Sequence, residues 1–251
     1  SLDCLLQELT KNYEADALIP AFKNKTGHPP LIRESLKPKI LQHDGSQGLR
    51  GVLDKALTIN VEIPDQHILI DIDTPEQYQK ALRLYENYNL PAFEEAEILL
   101  SWECREKPEV IAHCQKVSQV AKKIATALNM ASPGLLNIDL VLAGALLHDI
   151  AKGQAKHANA GSKRIIELGF ARDLADIVAK HADYDPDPGS NVNEVEVVYL
   201  ADKLVKGNRI IGLNQRFESK YSLYRDNPEA LQAVQRRWDQ SLKIYKKIEL
   251  A

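Results

Sequence analysis

The chain has 251 residues, 44% hydrophobic and 27% charged, with a formal net charge of −3, so it can bury an ordinary core but carries no overall basic field that would draw it to nucleic acid. Its longest apolar run, residues 140–147, is too short to span a bilayer, and no basic and apolar leader opens the sequence; the expectation is a cytoplasmic protein with no membrane contact. Cys4, Cys104 and Cys114 form no Cys-x-x-Cys pair and read as reduced thiols, Cys114 as a small buried apolar residue.

Up to about residue 90, short apolar stretches alternate with turn signals. Helices are predicted over residues 2–10 and 75–88, the second started by Thr74 as cap and Pro75 in the first turn. Residues 17–20, 58–63 and 67–73 read as short strands, punctuated by Gly27-His28-Pro29-Pro30. Beyond Pro91 the pattern turns helical. Pro91 and Pro108 bracket a connecting helix over residues 92–104. Val110, Cys114, Val117, Ala121, Ile124 and Leu128 then form one apolar stripe at helical spacing. Residues 140–147 are apolar on nearly every face and predict a central buried helix. Leu174, Ile177 and Val178 form another stripe, as do Val195, Val198 and Val205. A charged amphipathic helix over 228–250 closes the chain. The predicted class is α+β, a partial α/β segment followed by an all-α bundle. Its divisions are 1–90, a connector at 91–106, and 107–251.

Five polar groups interrupt these stripes on their buried sides: His113, His148, Asp149, His181 and Asp202. A single inward histidine is ordinarily a core residue satisfied by a backbone carbonyl. Inward aspartates are harder to explain, because an unpaired buried carboxylate costs several kcal/mol. A shared divalent cation relieves all of them together, and imidazole with carboxylate suits Mn, Fe, Co, Ni or Zn, with Mg also admissible.

The order His113, then His148-Asp149 in Leu-Leu-His-Asp-Ile-Ala-Lys, then Asp202 in Val-Tyr-Leu-Ala-Asp-Lys-Leu-Val-Lys-Gly, resembles the HD phosphohydrolase superfamily over about residues 107–225. The resemblance implies that His113, His148, Asp149 and Asp202 hold a first metal ion. It also implies that His157 and His181 hold a second, bridged by Asp149, as in proteins similar to the diadenosine tetraphosphate hydrolases. His157 could instead face solvent after the loop Gly153-Gln154-Ala155. Asp149 and Lys152 are the expected catalytic residues, Lys152 neutralising a phosphoryl group unless it is merely a solvated lysine near a helix end. Lys203, Lys206 and Arg216 are weaker candidates for the same task. Residues 183–191 form a loop beside His181, either a lid or a plain connector.

In the first ninety residues, Pro20-Ala21-Phe22, Gly27-His28-Pro29, Gly48-Leu49-Arg50 and Asp71-Ile72-Asp73-Thr74-Pro75 look like the C-terminal half of molybdopterin cytidylyltransferase-like nucleotidyltransferases. Gln77 stands where that family carries an acidic residue, and no glycine-rich loop precedes Gly27. The expectation is a domain entered part-way, unable to transfer a nucleotide, with Asp71 and Asp73 as strand-end and cap residues. An open sheet edge would then favour a homo-oligomer or pairing with a missing N-terminal fragment. The expected function is metal-dependent hydrolysis of a small phosphorylated molecule, a nucleotide in the first instance, without nucleic acid or membrane partners. The alternatives are a molybdenum-cofactor-type nucleotidyltransferase with an accessory HD part, and a non-catalytic nucleotide-sensing module.

Overall fold

The computed structural model of the chain describes residues 2–86 and 88–251, which pack as two compact units divided between residues 86 and 87. In the first unit, helix α1 (Leu2–Lys11) leads into strand β1 (Ala17–Phe22), whose apolar side chains are buried at all positions but one. Strands β2 (Lys25–Thr26) and β3 (Leu31–Ile32) pair antiparallel with the two ends of β1. Two short helices follow, α2 (Lys37–Leu41) and α3 (Gly48–Leu53), and strand β4 (Thr58–Glu62) then returns parallel to β1. The register runs from Ala17 opposite Thr58 to Ala21 opposite Glu62. A parallel return needs a crossover, which α2 and α3 supply, although neither is long enough to show an apolar period in the sequence.

Residues 67–73, expected as a strand, instead form a 3-10 turn (Gln66–Leu69) and an open connection. The Asp65 carboxylate accepts from the His67 backbone N–H, and the Ile70 N–H turns back to the His67 carbonyl, which closes the chain on itself. Gly27 sits against this turn: a Cβ there would lie 2.4 Å from the Ile68 carbonyl oxygen. Helix α4 (Pro75–Glu86) begins at Thr74 as expected. Thr74 Oγ1 accepts from the Gln77 N–H and Gln77 Oε1 accepts from the Thr74 N–H, so Gln77 serves as the reciprocal cap. The expected end of this helix, at residue 88, lies past residue 87, which is outside the described residues.

The second unit is helical apart from one small hairpin. In chain order it comprises α5 (Phe93–Glu103), α6 (Pro108–Ala131), α7 (Ile138–Leu147), α8 (His157–Glu167), α9 (Arg172–Lys180) and α10 (Glu194–Lys203). The hairpin β5 (Val205–Lys206) and β6 (Arg209–Ile210) follows, then α11 (Leu213–Leu223) and α12 (Pro228–Glu249). Helix α7 is central, with every residue from Val141 to Leu147 buried. Ala143, Leu146 and Leu147 join one core with Leu99 and Leu100 of α5 and Leu174 and Val178 of α9. Val141 and Ala145 join another with Val117 and Ala121 of α6 and Val198 and Ala201 of α10. The segment read as a connector is thus part of the core, because Ala96, Leu99 and Leu100 present an apolar face to α7. Helices α11 and α12 cover α10 through Phe217, Trp238 and Tyr199, with the Phe217 and Trp238 rings stacked at 5.8 Å. No helix among the described residues is long and apolar enough to cross a membrane.

Close approach of α9 to α7 depends on Gly144, where a Cβ would stand 2.7 Å from Ile177 Cγ2. Gly144→Ala should therefore destabilise the protein by about 1 kcal/mol even though alanine favours helix, since overpacking of roughly 1–3 kcal/mol exceeds a propensity gain of about 1. Urea unfolding followed by circular dichroism would measure it, and a stabilised variant would contradict the packing described.

Candidate metal centre

The histidines and aspartates come together because several helices end at one place. His148 follows the last residue of α7 and His181 the last of α9, so the two apolar helices carry them to the same end of the core. Their rings are 5.0 Å apart, with His113 of α6 5.4 Å from His148 and His157, at the start of α8, 5.2 Å from His181. His148, Asp149, His181 and Asp202 are buried; His113 and His157 are partly exposed.

Three of the four imidazoles are anchored in the same way. His148 Nδ1 lies 2.8 Å from the Ala145 carbonyl, His181 Nδ1 2.6 Å from the Val178 carbonyl, and His113 Nδ1 2.8 Å from the Gly207 carbonyl. A carbonyl only accepts, so each Nδ1 carries the proton and each Nε2 offers a lone pair inward. The third anchor depends on the hairpin: Gly207 has φ +59 at the first central turn position, where glycine suits a type II′ turn.

The lone pairs of His113 and His148 meet carboxylate oxygens, and that of His181 meets both Asp149 and His157, whose own Nδ1 has no carbonyl anchor among the described residues. Asp149 Oδ1 is 3.2 Å from His157 Nε2 and 3.3 Å from His181 Nε2, and the two Nε2 atoms are 3.3 Å apart. His113 Nε2 is 3.1 Å and His148 Nε2 3.9 Å from Asp202 Oδ1. His148 Nε2 and Asp149 Oδ1 are buried without a hydrogen-bond partner. Acceptor facing acceptor out of water is costly, and a cation resolves it. Two groups of donors could hold one: His113, His148 and Asp149, and Asp149, His157 and His181, the atoms of each lying within 4.8 Å of one another. Asp149 belongs to both. Asp202 stands beside the first group with its other oxygen 2.6 Å from Lys203 Nζ.

The electrostatics follow from this crowding. Burial raises the Asp149 pKa, but His148 and the close approach of the His157 and His181 imidazoles outweigh it and hold the carboxyl well below the usual range. Burial likewise opposes ionisation of Asp202, and Lys203, His113, His148 and Arg216 reverse the effect. Burial pushes His148 down to about 4 despite Asp149, whereas the Asp202 carboxylate overcomes burial at His113 and raises it.

Lys152, the other expected catalytic residue, extends from the turn after His148 with its side chain 47% exposed and its Nζ 2.8 Å from Asp149 Oδ2. Lys203 is buried, donating also to the His181 carbonyl at 2.9 Å and lying 4.4 Å above the Tyr199 ring. His113, Asp149, His157, His181, Asp202, Lys152 and Lys203 open on one cleft of about 420 Å³, with His148 buried behind them. Lys206 points elsewhere, to Ser219 Oγ at 3.5 Å. Lys220 and Arg237 also line the cleft and were not singled out by sequence, since on charged amphipathic helices nothing separates them from solvated neighbours. The loop 183–191 is tied to α12, with Lys247 donating to the Asp187 carbonyl, Ser190 Oγ and Glu196 Oε1 at 2.8–2.9 Å, which fits a connector rather than a lid.

The family model of the HD domain matches residues 110–207. This stretch is an HD domain. HD domains are a family of metal-dependent phosphohydrolases, and the match ends at Gly207, so it takes in the five residues of the two donor groups, Asp202, and the Gly207 carbonyl that anchors His113. Comparisons of the chain with curated proteins and with solved structures give no significant match.

His113 must lose a proton before its Nε2 can bind a cation. Mn affinity of the metal-free protein should therefore fall as pH drops through the raised His113 pKa, above the ordinary 6.5, by up to about tenfold per pH unit. His113→Gln should bind Mn more weakly and lose the share of the pH dependence that His113 contributes, whereas His148, held near 4, adds none in that range. Calorimetric titration on both sides of pH 6.5 decides it.

Proposed function

We propose that residues 88–251 act as a metal-dependent phosphohydrolase on a phosphoester or phosphoanhydride of a small phosphorylated molecule, a nucleotide in the first instance. The observation that carries this reading is the buried pair of unpartnered acceptors, His148 Nε2 and Asp149 Oδ1, set among three imidazoles whose protons are committed to carbonyls. His113, His148 and Asp149 would hold one cation with Asp202 beside them, and Asp149, His157 and His181 a second. The chemistry such a cation supplies is activation of water near neutral pH and polarisation of a phosphoryl oxygen. The donor set suits Mn, Fe, Co, Ni or Zn.

The chain's own groups orient the rest. The carbonyl anchors fix which nitrogen each imidazole presents. Lys203 keeps Asp202 ionised and, being buried between Asp202 and the His181 carbonyl, ties α10 to the end of α9. Lys152 holds an ammonium at the mouth of the cleft beside Asp149, where it would meet an oxygen of the phosphoryl group. In the overall reaction a water oxygen adds to phosphorus, the bond from phosphorus to the leaving oxygen breaks, and that oxygen takes up a proton. A cleft of about 420 Å³ is of the size small-molecule sites have. For the first unit, the parallel pairing of β1 with β4 supports the α/β nucleotidyltransferase-like reading.

Purified protein should contain transition metal, about two equivalents if both groups are filled, and should hydrolyse bis-p-nitrophenyl phosphate with added Mn. Removing the metal with chelator should abolish turnover, and re-addition should restore it. Asp149→Ala, which deletes the shared donor, should lose metal and at least about a hundredfold in kcat while remaining folded. Elemental analysis and turnover on the same samples test the reading. Wild-type protein with neither metal nor turnover would overturn it.

A further inference from the structure

The cations lining the cleft fall into two sets. Lys152 and Lys203 are paired with the site's own carboxylates, at 2.8 Å from Asp149 and 2.6 Å from Asp202. Arg216 and Arg237, from α11 and α12, reach a carboxylate only at 3.9–4.0 Å without a hydrogen bond to it, and Lys220 of α11 has no carboxylate partner among the described residues. Arg216 donates through Nη1 to the Val205 carbonyl at 2.6 Å, its Nη2 stops 4.0 Å from Asp202 Oδ1, and its buried Nε has no partner. Arg237 Nε is also buried and unpartnered, 3.9 Å from Asp183 Oδ2. The reason is competition: Arg236 takes Asp183 Oδ2, and Gln240 Nε2 donates to Asp183 Oδ1 at 3.2 Å. Lys220 lines the cleft with no carboxylate within ion-pair distance among the described residues.

Arg216 and Lys220 are four residues apart on α11, so they share a face, with Lys220 about 6 Å further along the axis. Like charges at that spacing repel, and partial burial worsens the repulsion. Lys220 registers both effects: burial first, then Arg216 and Lys203, bring its ammonium down to about 8. An anion lying along this face would relieve the repulsion and supply the missing acceptors for the two guanidinium groups. All three residues lie beyond residue 207, outside the matched HD segment, so the metal chemistry of that segment does not account for them.

We propose that Arg216, Lys220 and Arg237 form a second anion subsite, which holds a further phosphate of the substrate while the first is attacked at the histidine–aspartate end. The preferred substrate then carries two or more linked phosphates rather than one. The inference rests on the phosphohydrolase reading for the identity of the first subsite, and its test is a binding measurement that needs no turnover.

The full chain, with Mn in excess over the anion so that chelation does not strip the metal, is titrated with imidodiphosphate and separately with orthophosphate. Imidodiphosphate carries two phosphoryl groups on a bridging nitrogen that resists hydrolysis. Wild-type protein should bind it at least about tenfold more tightly than orthophosphate. Lys220→Gln and Arg237→Gln should each lose about five- to tenfold of the imidodiphosphate affinity, keep the orthophosphate affinity within about twofold, and melt no lower than wild type. Lys220→Arg, which keeps the charge, should retain the preference. Equal affinity of wild type for the two anions, or equal loss of both in the variants, overturns the subsite. Hydrolysis of bis-p-nitrophenyl phosphate without the anion preference would sink the subsite alone. The preference without hydrolysis would keep the subsite and sink the reaction.

Discussion

Two carboxylates buried at the ends of apolar helices set the terms for the second unit. Asp149 and Asp202 are 2% and 7% exposed, and an isolated carboxylate at that depth would take up a proton or unfold its surroundings. Both stay ionised here because cationic and imidazole groups converge on them from five directions in the chain: α6, the ends of α7 and α9, the start of α8, and α10. The helices are thus held in register by a charge that none of them could bury alone. That is why α7 can be so uniformly apolar and still stop at a pair of polar residues.

The anchoring of the imidazoles gives this arrangement its direction. Had the Nδ1 of His148 or His181 no carbonyl to donate to, its Nε2 could have carried the proton and donated to a carboxylate, and the cluster would have closed on itself as a hydrogen-bonded network. Committing Nδ1 to the carbonyl three residues back in each case leaves the Nε2 atoms of His148 and His181 as acceptors beside carboxylate oxygens. A network left one cation short is a poor structural core and a good receptor for a metal. Lys152 and Lys203 compensate part of the deficit from one side of each carboxylate, leaving the other oxygen of each to the histidines.

Beyond the HD segment the fold adds positive charge rather than more donors. Helices α11 and α12 pack through Phe217, Trp238 and Tyr199, apolar contacts that fix the backbone without consuming the basic residues beside them. Helix α12 also pins the loop 183–191 through Lys247, Lys243 and Arg236 beside His181.

The sequence by itself determined helices α5, α6, α7, α9, α10 and α12, the burial of α7, and the set of inward polar residues, because helical periodicity states which face a side chain takes; α8, α11 and the β5–β6 hairpin left no such trace, and Val205, read into a helical stripe, lies in β5. It also carried the HD spacing of His113, His148-Asp149 and Asp202. It did not carry the turn at 66–69, where one Asp65 hydrogen bond overrides a strand-like composition, nor the crossover helices α2 and α3, which are too short for periodicity to register. Only the tertiary structure decided that the helix at 93–103 belongs to the core and that Gly207 turns a carbonyl toward His113 from 94 residues away. It alone separated Lys220 and Arg237 from their solvated neighbours. A charged residue on an amphipathic helix has the same local pattern whether it faces water or a cleft, and the difference lies in what the other helices bring to it.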